Sequence, residues 1–276
     1  MEKWEQFEID STAYLNKKFG KFATFTRQGG YDSTVPDILV RTNKGDEFYI
    51  EAKHCPAQCG QFVLLPNLQT LKFDYSSKNI NIYNQYAGLI MNEMNKDFKA
   101  FKEAGTTGKD IIFSGDQKVF SDWITTFYKN KGVKFVITNG FRVFPVDDFS
   151  KVYTISAKYR IKRSGSSSVG LSNMTTVKNH LKSNYNISSI RQDKDKLFIT
   201  SSNKLHNQRF ILGGYEYMIS QRDSEYEIRK LSNTFNANAI FSIEINHNPR
   251  YHFLTDDDFI KYLWFFLTLP WIQHIF

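Results

Sequence analysis

Cysteine is scarce. The chain holds two, Cys55 and Cys59, which excludes a disulfide-rich scaffold and a four-cysteine zinc centre. With no paired histidines nearby they make a poor zinc site and read as ordinary semi-buried thiols. Long apolar runs are missing too: nothing reaches the ~20 residues that span a bilayer. The nearest run, Tyr262 to Phe276, is broken by Pro270 and reads as core or interface. The opening Met1-Glu-Lys-Trp-Glu has no apolar stretch of the secretory kind, so the expectation is a cytoplasmic chain that does not enter a membrane. No glycine-rich phosphate loop occurs, and no repeat of fixed period. Asn246-His247-Asn248 with His252 lacks the framework of a hairpin-plus-helix metal site.

What is present is core material and positive charge. Of 276 residues, 41% are hydrophobic and 23% charged, which excludes disorder throughout. Aromatics reach 16%, with 25 Phe and 15 Tyr. Lys and Arg number 36 against 28 Asp and Glu, a formal charge of +8 that suits a polyanionic partner without proving one.

Along the chain, Trp4, Phe7, Ser11, Tyr14, Leu15 and Phe19 recur at 3.6 residues per turn, predicting a helix that Gly20 ends. Glu8 falls inside that apolar stripe, and a carboxylate there requires a partner. Phe22 to Arg27 reads as strand, followed by the turn-rich stretch 28–34. Asp37 to Arg41 and Glu47 to Lys53 read as a hairpin around Thr42-Asn-Lys-Gly-Asp46. One long helix is expected from Asn84 to Ala104, then a buried strand Asp110 to Phe113, a helix Gln117 to Asn130 and a strand Val133 to Thr138. That order predicts a βαβ unit with a parallel pair.

Character shifts near residue 150. Lys151 to Arg163 alternates strictly, with Lys158, Arg160 and Lys162 on one face, and the tract Ser164-Gly-Ser-Ser-Ser168 follows. Strand candidates at 197–200, 210–220, 226–230 and 239–245, with a short helix at 173–181, make the second half β-rich. Gly213-Gly214 reads as a turn or bulge. A last helix is expected from Asp256–Asp258, where acidic residues suit a helix start. The expected division is 1–148 and 149–276.

The chemistry gathers at Pro36-Asp37 and Glu51-Ala52-Lys53. Glu51 and Lys53 are two apart on a strand and share a face with Tyr49, while Phe48, Ile50 and Ala52 take the other. The turn at 42–46 returns the Asp37 end of one strand to the Glu51–Lys53 end of the next. Two carboxylates and one ammonium then converge. Such a set suits Mg²⁺ held by oxygen ligands, with Asp37 and Glu51 as ligands and the Ala52 carbonyl within reach. The ion would stabilise charge on a phosphodiester and acidify water, with Lys53 positioning or deprotonating that water. Glu8 is a further candidate for the same cluster. The alternative reading is a turn-capping Asp37 and an exposed strand-face ion pair between Glu51 and Lys53.

Pro36-Asp37, thirteen residues and Glu51-Ala52-Lys53, with an upstream helix carrying Phe7-Glu8, resemble the PD-(D/E)XK nuclease superfamily, most nearly a type II restriction endonuclease. The resemblance covers residues 1 to about 65 directly, and to about 140 by element order. It implies an α/β fold: a restriction-endonuclease-like core with a mixed central sheet flanked by helices, plus a β-rich C-terminal region for target recognition. It also implies Asp37 and Glu51 as Mg²⁺ ligands, Lys53 as the catalytic lysine and Glu8 as an auxiliary acid. The implied substrate is double-stranded DNA, cut to 5′-phosphate and 3′-hydroxyl ends. A homodimer, built in part on the apolar tail from Leu263, and a cognate methyltransferase complete the implied partners. Rival readings are a repair or junction-resolving nuclease on the same core and a non-catalytic DNA-binding protein.

Candidate DNA contacts follow. Gln58 and Gln61 lie just past Lys53 in a stretch that reads equally as a polar loop satisfying its own backbone. Lys158, Arg160, Lys162 and Arg163 suit phosphate or guanine, or form the solvated face of a strand.

Overall fold

The computed structural model describes residues 2–28, 30, 35–81, 83–113, 118–246 and 250–265. His247 and Asn248, set aside as a metal motif, and the tail beyond 265, expected to help form an interface, lie outside them, as does most of the 28–34 turn. Two compact units result: Met1–Arg160 with Asn238–Phe276, and Ile161–Ala237. The expected boundary at 148/149 is displaced. The chain leaves the first unit at 160 and returns at 238, so the second unit is an insertion rather than a C-terminal half.

In the first unit, α1 (Lys3–Phe19) leads into β1 (Ala23–Arg27), β2 (Ile38–Thr42) and β3 (Glu47–Lys53). β2 and β3 form the expected hairpin, with Arg41 opposite Glu47 and Ile38 opposite Ile50. Gly45 turns it at φ +90, a conformation that favours glycine. Then come β4 (Ala57–Asn67), β5 (Lys72–Tyr75), α2 (Gln85–Asn95), α3 (Phe98–Lys102), β6 (Lys109–Ile111), α4 (Lys118–Asn130), β7 (Val133–Thr138), β8 (Arg142–Pro145), α5 (Phe149–Val152) and β9 (Tyr153–Arg163).

The first sheet has the order β1-β2-β3-β7-β8. Only β3 and β7 run parallel, so the sheet is mixed, as expected. α1 covers one face. Phe7, Leu15 and Phe19 pack on Phe25, Val40, Phe48, Ile50, Ala52 and Ile137, joined by Phe259 and Leu263 of the last helix, α7 (Asp256–Phe265).

The parallel pair is not the βαβ unit read from the sequence. β6 is three residues long, its neighbour Ile112 is 69% exposed, and it pairs antiparallel with β9 at the edge of another sheet. The partner of β7 is β3, and everything from β4 to α4 is the crossover. Neighbours in sequence pair often but not always.

The expected 84–104 helix is also two. Asn84 caps α2 through its side chain, but Asp97 sits at φ −130, ψ 49 and breaks the helix. Asn95 turns its side chain to the Phe73 backbone N–H, 2.8 Å away. The apolar stripe survives the break because Phe98 packs on Phe73, and Phe101 on Tyr159. Finally, His54–Phe62 is not a loop beyond its first residues: β4 runs from Ala57 and sits in a second sheet ordered β5-β4-β16-β9-β6, where β16 is Phe235–Ile245. The alternating strand begins at Tyr153 rather than Lys151 because Phe149–Val152 forms a helical turn.

The second unit holds β10 (Ser166–Ser167), α6 (Met174–Asn184), β11 (Ser189–Asp193), β12 (Lys196–Thr200), β13 (Arg209–Leu212), β14 (Tyr215–Arg222) and β15 (Glu225–Leu231). Its antiparallel sheet runs β11-β12-β15-β14-β13, with β10 added on β15. Met174, Val177 and Leu181 of α6 close its own core over Leu197, Ile199, Tyr217, Ile219 and Ile228. No described helix is long and apolar enough to cross a membrane.

Candidate active site

Asp37 stands one residue before β2, just past the last hairpin pair, Ile38 with Ile50. Its Oδ2 accepts the next free strand N–H, that of Ala52, at 2.8 Å. That bond fixes the Asp37 carboxylate at the end of β3, beside Glu51. Lys53 Nζ lies 2.6 Å from Glu51 Oε1 and 3.7 Å from Asp37 Oδ2. The side chains are 13% (Asp37), 11% (Glu51) and 15% (Lys53) exposed, so the solvent-facing ion pair of the alternative reading is not what forms. Phe48, Ile50 and Ala52 occupy the opposite face, as the alternation requires.

The charges are unbalanced. Burial pushes the Asp37 carboxyl above its ordinary range, against the pull of the Lys53 ammonium and the Ala52 N–H. Burial, then the neighbouring Asp37, raises Glu51, again opposed by Lys53. Burial works against the ammonium of Lys53, but the two carboxylates outweigh it and its pKa is raised. Two carboxylates and a single ammonium, all desolvated, are short of positive charge.

Oxygen-only donors with that deficit fit a hard divalent cation. Among the described residues no group of three or more His, Cys, Asp or Glu is arranged for a metal. A divalent cation here would find two carboxylates, Asp37 and Glu51, and few other protein ligands. That is the sparse set Mg²⁺ takes when waters and substrate phosphate supply the remainder.

Glu8 is buried on α1, as its place in the stripe implied. Its partner is Arg27 at the end of β1, whose Nε and Nη2 donate to Glu8 Oε2 at 3.0 and 2.9 Å. Burial raises Glu8 despite Arg27, and Lys53 and Glu51 both act on it electrostatically. Glu8 thus borders the trio but is held by Arg27. The sequence signal was the buried carboxylate itself; which cation answered it was not local. Arg27→Met leaves Glu8 without its partner and destabilises the chain by about 1–3 kcal/mol in urea unfolding. Adding Glu8→Gln restores most of that loss; a double variant no better than the single one shows that Arg27 acts elsewhere.

Other supports lie far away in sequence. Thr138 at the end of β7 donates to the Lys53 carbonyl at 3.0 Å. Asn139 brackets Cys55, accepting from its N–H at 2.7 Å and donating to its carbonyl at 3.1 Å. Tyr128 of α4 donates to the Cys59 carbonyl at 2.7 Å. Nothing local in the sequence marks the grip of Asn139 on the β3–β4 corner. Cys55 and Cys59 are buried free thiols.

The remaining candidates are dispersed. Gln58 and Gln61 are exposed on β4, with the Gln58 Nε2 donating to Gln61 Oε1 at 3.3 Å. Lys158 faces Asp110 at 3.4 Å, and Arg160 is half-buried, both in the first unit. In the second unit Lys162 is exposed. Arg163 is engaged by Glu216 and the Ser232 carbonyl, so its charge serves the fold of that unit.

The first unit is thus mixed α/β, with a mixed sheet, helices packed on it and the carboxylate–lysine corner at the end of β3. Comparison with solved structures finds the HhaI endonuclease in complex with DNA, at a TM-score of 0.69 and 38% identity, over 90% of this chain and 93% of that one. At that identity and coverage the chain belongs to the HhaI endonuclease family. No family model matches the chain, and no curated protein matches it.

Proposed function

We propose that the chain is a type II restriction endonuclease of the PD-(D/E)XK kind, a sequence-specific enzyme that hydrolyses phosphodiester bonds of double-stranded DNA with Mg²⁺. The observation that carries this is the buried Asp37–Glu51–Lys53 corner in a chain 38% identical to an endonuclease solved on DNA. Convergent buried carboxylates facing a polyanion serve no purpose in binding alone.

Asp37, Glu51 and the Ala52 carbonyl would hold the cation. When bound, it supplies charge stabilisation at the phosphate and lowers the pKa of water. The Ala52 N–H and the β3 backbone keep the Asp37 carboxylate in place without rearrangement. Glu51 orients Lys53 through the 2.6 Å contact. The Lys53 Nζ can then donate to the attacking water or to a phosphate oxygen as negative charge grows. The non-polar packing of Phe48, Ile50 and Ala52 against α1 keeps the strand from shifting.

Charge distribution supports a division of labour. Residues 161–237 hold twelve Lys and Arg against six Asp and Glu, +6 of the chain's +8. The second unit is thus the basic one and is proposed to grip DNA, while the first unit, close to neutral, carries the chemistry. Digesting plasmid DNA with the chain and Mg²⁺ tests the reading. Discrete fragments are expected. A smear or cutting confined to branched DNA would point to the repair or junction-resolving rival, and duplex binding with no cutting in any divalent metal to the non-catalytic one.

A further inference from the structure

In the second unit, the Ser164–Ser168 tract and the end of β15 enclose a concave site of about 380 Å³. Ser164, Ser166, Ser167 and Ser232 line it together with Tyr215 and Lys230, and no acidic residue does. The tract is built in rather than loose. Ser166 and Ser167 pair with Leu231 and Lys230 as a short edge strand. Arg229 donates to the Ser166 hydroxyl and carbonyl, at 3.2 and 2.9 Å. The Ser164 and Ser232 hydroxyls lie 3.0 Å apart.

The neighbouring arginines are paired. Arg163 and Arg209 share Glu216, and Arg222 and Arg229 share Glu227. Glu216 follows Tyr215 on β14 and so projects from the other face of the strand. Lys230 has no acidic partner among the described residues; its ammonium lies 4.5 Å above the Tyr215 ring. An uncompensated ammonium beside several hydroxyl donors, inside a unit of net +6, is the donor set of a phosphate site.

We infer that this concavity binds a backbone phosphate of duplex DNA, with Lys230 as the charged contact and the Ser164–Ser167 hydroxyls as neutral donors. The assignment rests on the reading that the chain acts on DNA and names where the basic unit holds it. It makes no use of the catalytic trio.

The test is fluorescence-anisotropy binding of a labelled DNA duplex by the full chain, without divalent metal, across a salt series. Lys230→Gln should weaken binding several-fold and reduce the slope of log K against log salt by about 0.9, one phosphate contact. Lys230→Arg should restore the slope, and Lys194→Gln, in the β11–β12 turn of the same unit, should leave it unchanged. An unchanged slope for Lys230→Gln overturns the site, and so does an equal loss for Lys194→Gln, which would make the effect one of general charge. Inorganic phosphate separates the other source of this chemistry. If phosphate alone raises the thermal midpoint of wild type but not of Lys230→Gln, with the DNA slope unmoved, the concavity takes free phosphate and the DNA assignment fails. Failure here is distinguishable from failure of the nuclease reading. Wild type that binds with the predicted slopes but never cuts retains this site and loses the catalytic assignment. Wild type that cuts, with Lys230→Gln indistinguishable from it, does the reverse.

Discussion

Asp37→Asn will cut plasmid DNA at least about a hundredfold more slowly than the unaltered chain, and will unfold at the same temperature or higher. The two halves of that result have one cause. Asp37 and Glu51 are both desolvated, both raised by burial, and share a single ammonium. Neutralising one removes a repulsion, while the Asn Oδ1 still accepts the Ala52 N–H that Asp37 holds at 2.8 Å. Stability is therefore kept or gained, and the charge needed for chemistry is lost, the usual trade at a site strained for function. Glu51→Gln follows the same logic. Lys53→Met does not: it leaves two buried carboxylates with no counter-charge and costs about 3 kcal/mol as well as activity. Cleavage rates in Mg²⁺ beside thermal midpoints check all three. Normal cutting by any variant removes that residue from the mechanism, and a large fall in the midpoint of Asp37→Asn refutes the argument about repulsion.

This site was legible in the sequence because it is local. Asp37 and Glu51 are joined by a hairpin whose turn residues, Thr42 to Asp46, are explicit, and the period-2 rule puts Glu51 and Lys53 on one face. What supports the site was not legible, because it comes from elsewhere. β7, the parallel neighbour of β3, arrives after some eighty residues. Sequence adjacency favoured β6 as its partner, and β6 belongs to another sheet. Arg27, Thr138 and Asn139 carry no local mark of the bonds they make to Glu8, Lys53 and Cys55. The insertion was not visible. The sequence reading put the change of character near 150, but the chain leaves the first unit inside β9 and returns inside β16, each one continuous strand. A strand that passes from one unit to another has no break in its alternation to betray it. The helix expected over 84–104 failed for a related reason: its stripe is real, yet it is presented by two helices on one sheet, and periodicity does not register a turn at Lys96–Asp97.

Trp123→Ala will destabilise the chain by about 3–5 kcal/mol in urea or thermal unfolding, the range for removing a large buried aromatic. Trp123 is 1% exposed and stands between Phe62, Phe127 and Phe241, with ring centroids at 5.0, 5.4 and 4.7 Å. It ties α4 to the second sheet, where Phe62 belongs to β4 and Phe241 to β16. Gly60 makes the approach possible: a Cβ there would meet the indole at 2.9 Å. The indole N–H has no hydrogen-bond partner among the described residues, so Trp123→Phe gives up area but also a buried unpaired donor, and should cost much less than the alanine change. Gly60→Ala should destabilise the native chain through that contact, yet be better tolerated beside Trp123→Ala, where space has opened. The pair therefore couples, and a double-mutant cycle measures it. The same packing reaches the active site, because α4 also carries Tyr128, whose hydroxyl holds the Cys59 carbonyl a few residues past Lys53. Loss of Trp123 should therefore lower the cutting rate at temperatures where the chain is still folded. Additive losses for Trp123→Ala and Gly60→Ala would show that the two positions do not share the contact, and an unaltered cutting rate would show that α4 does not brace the strand beyond the trio.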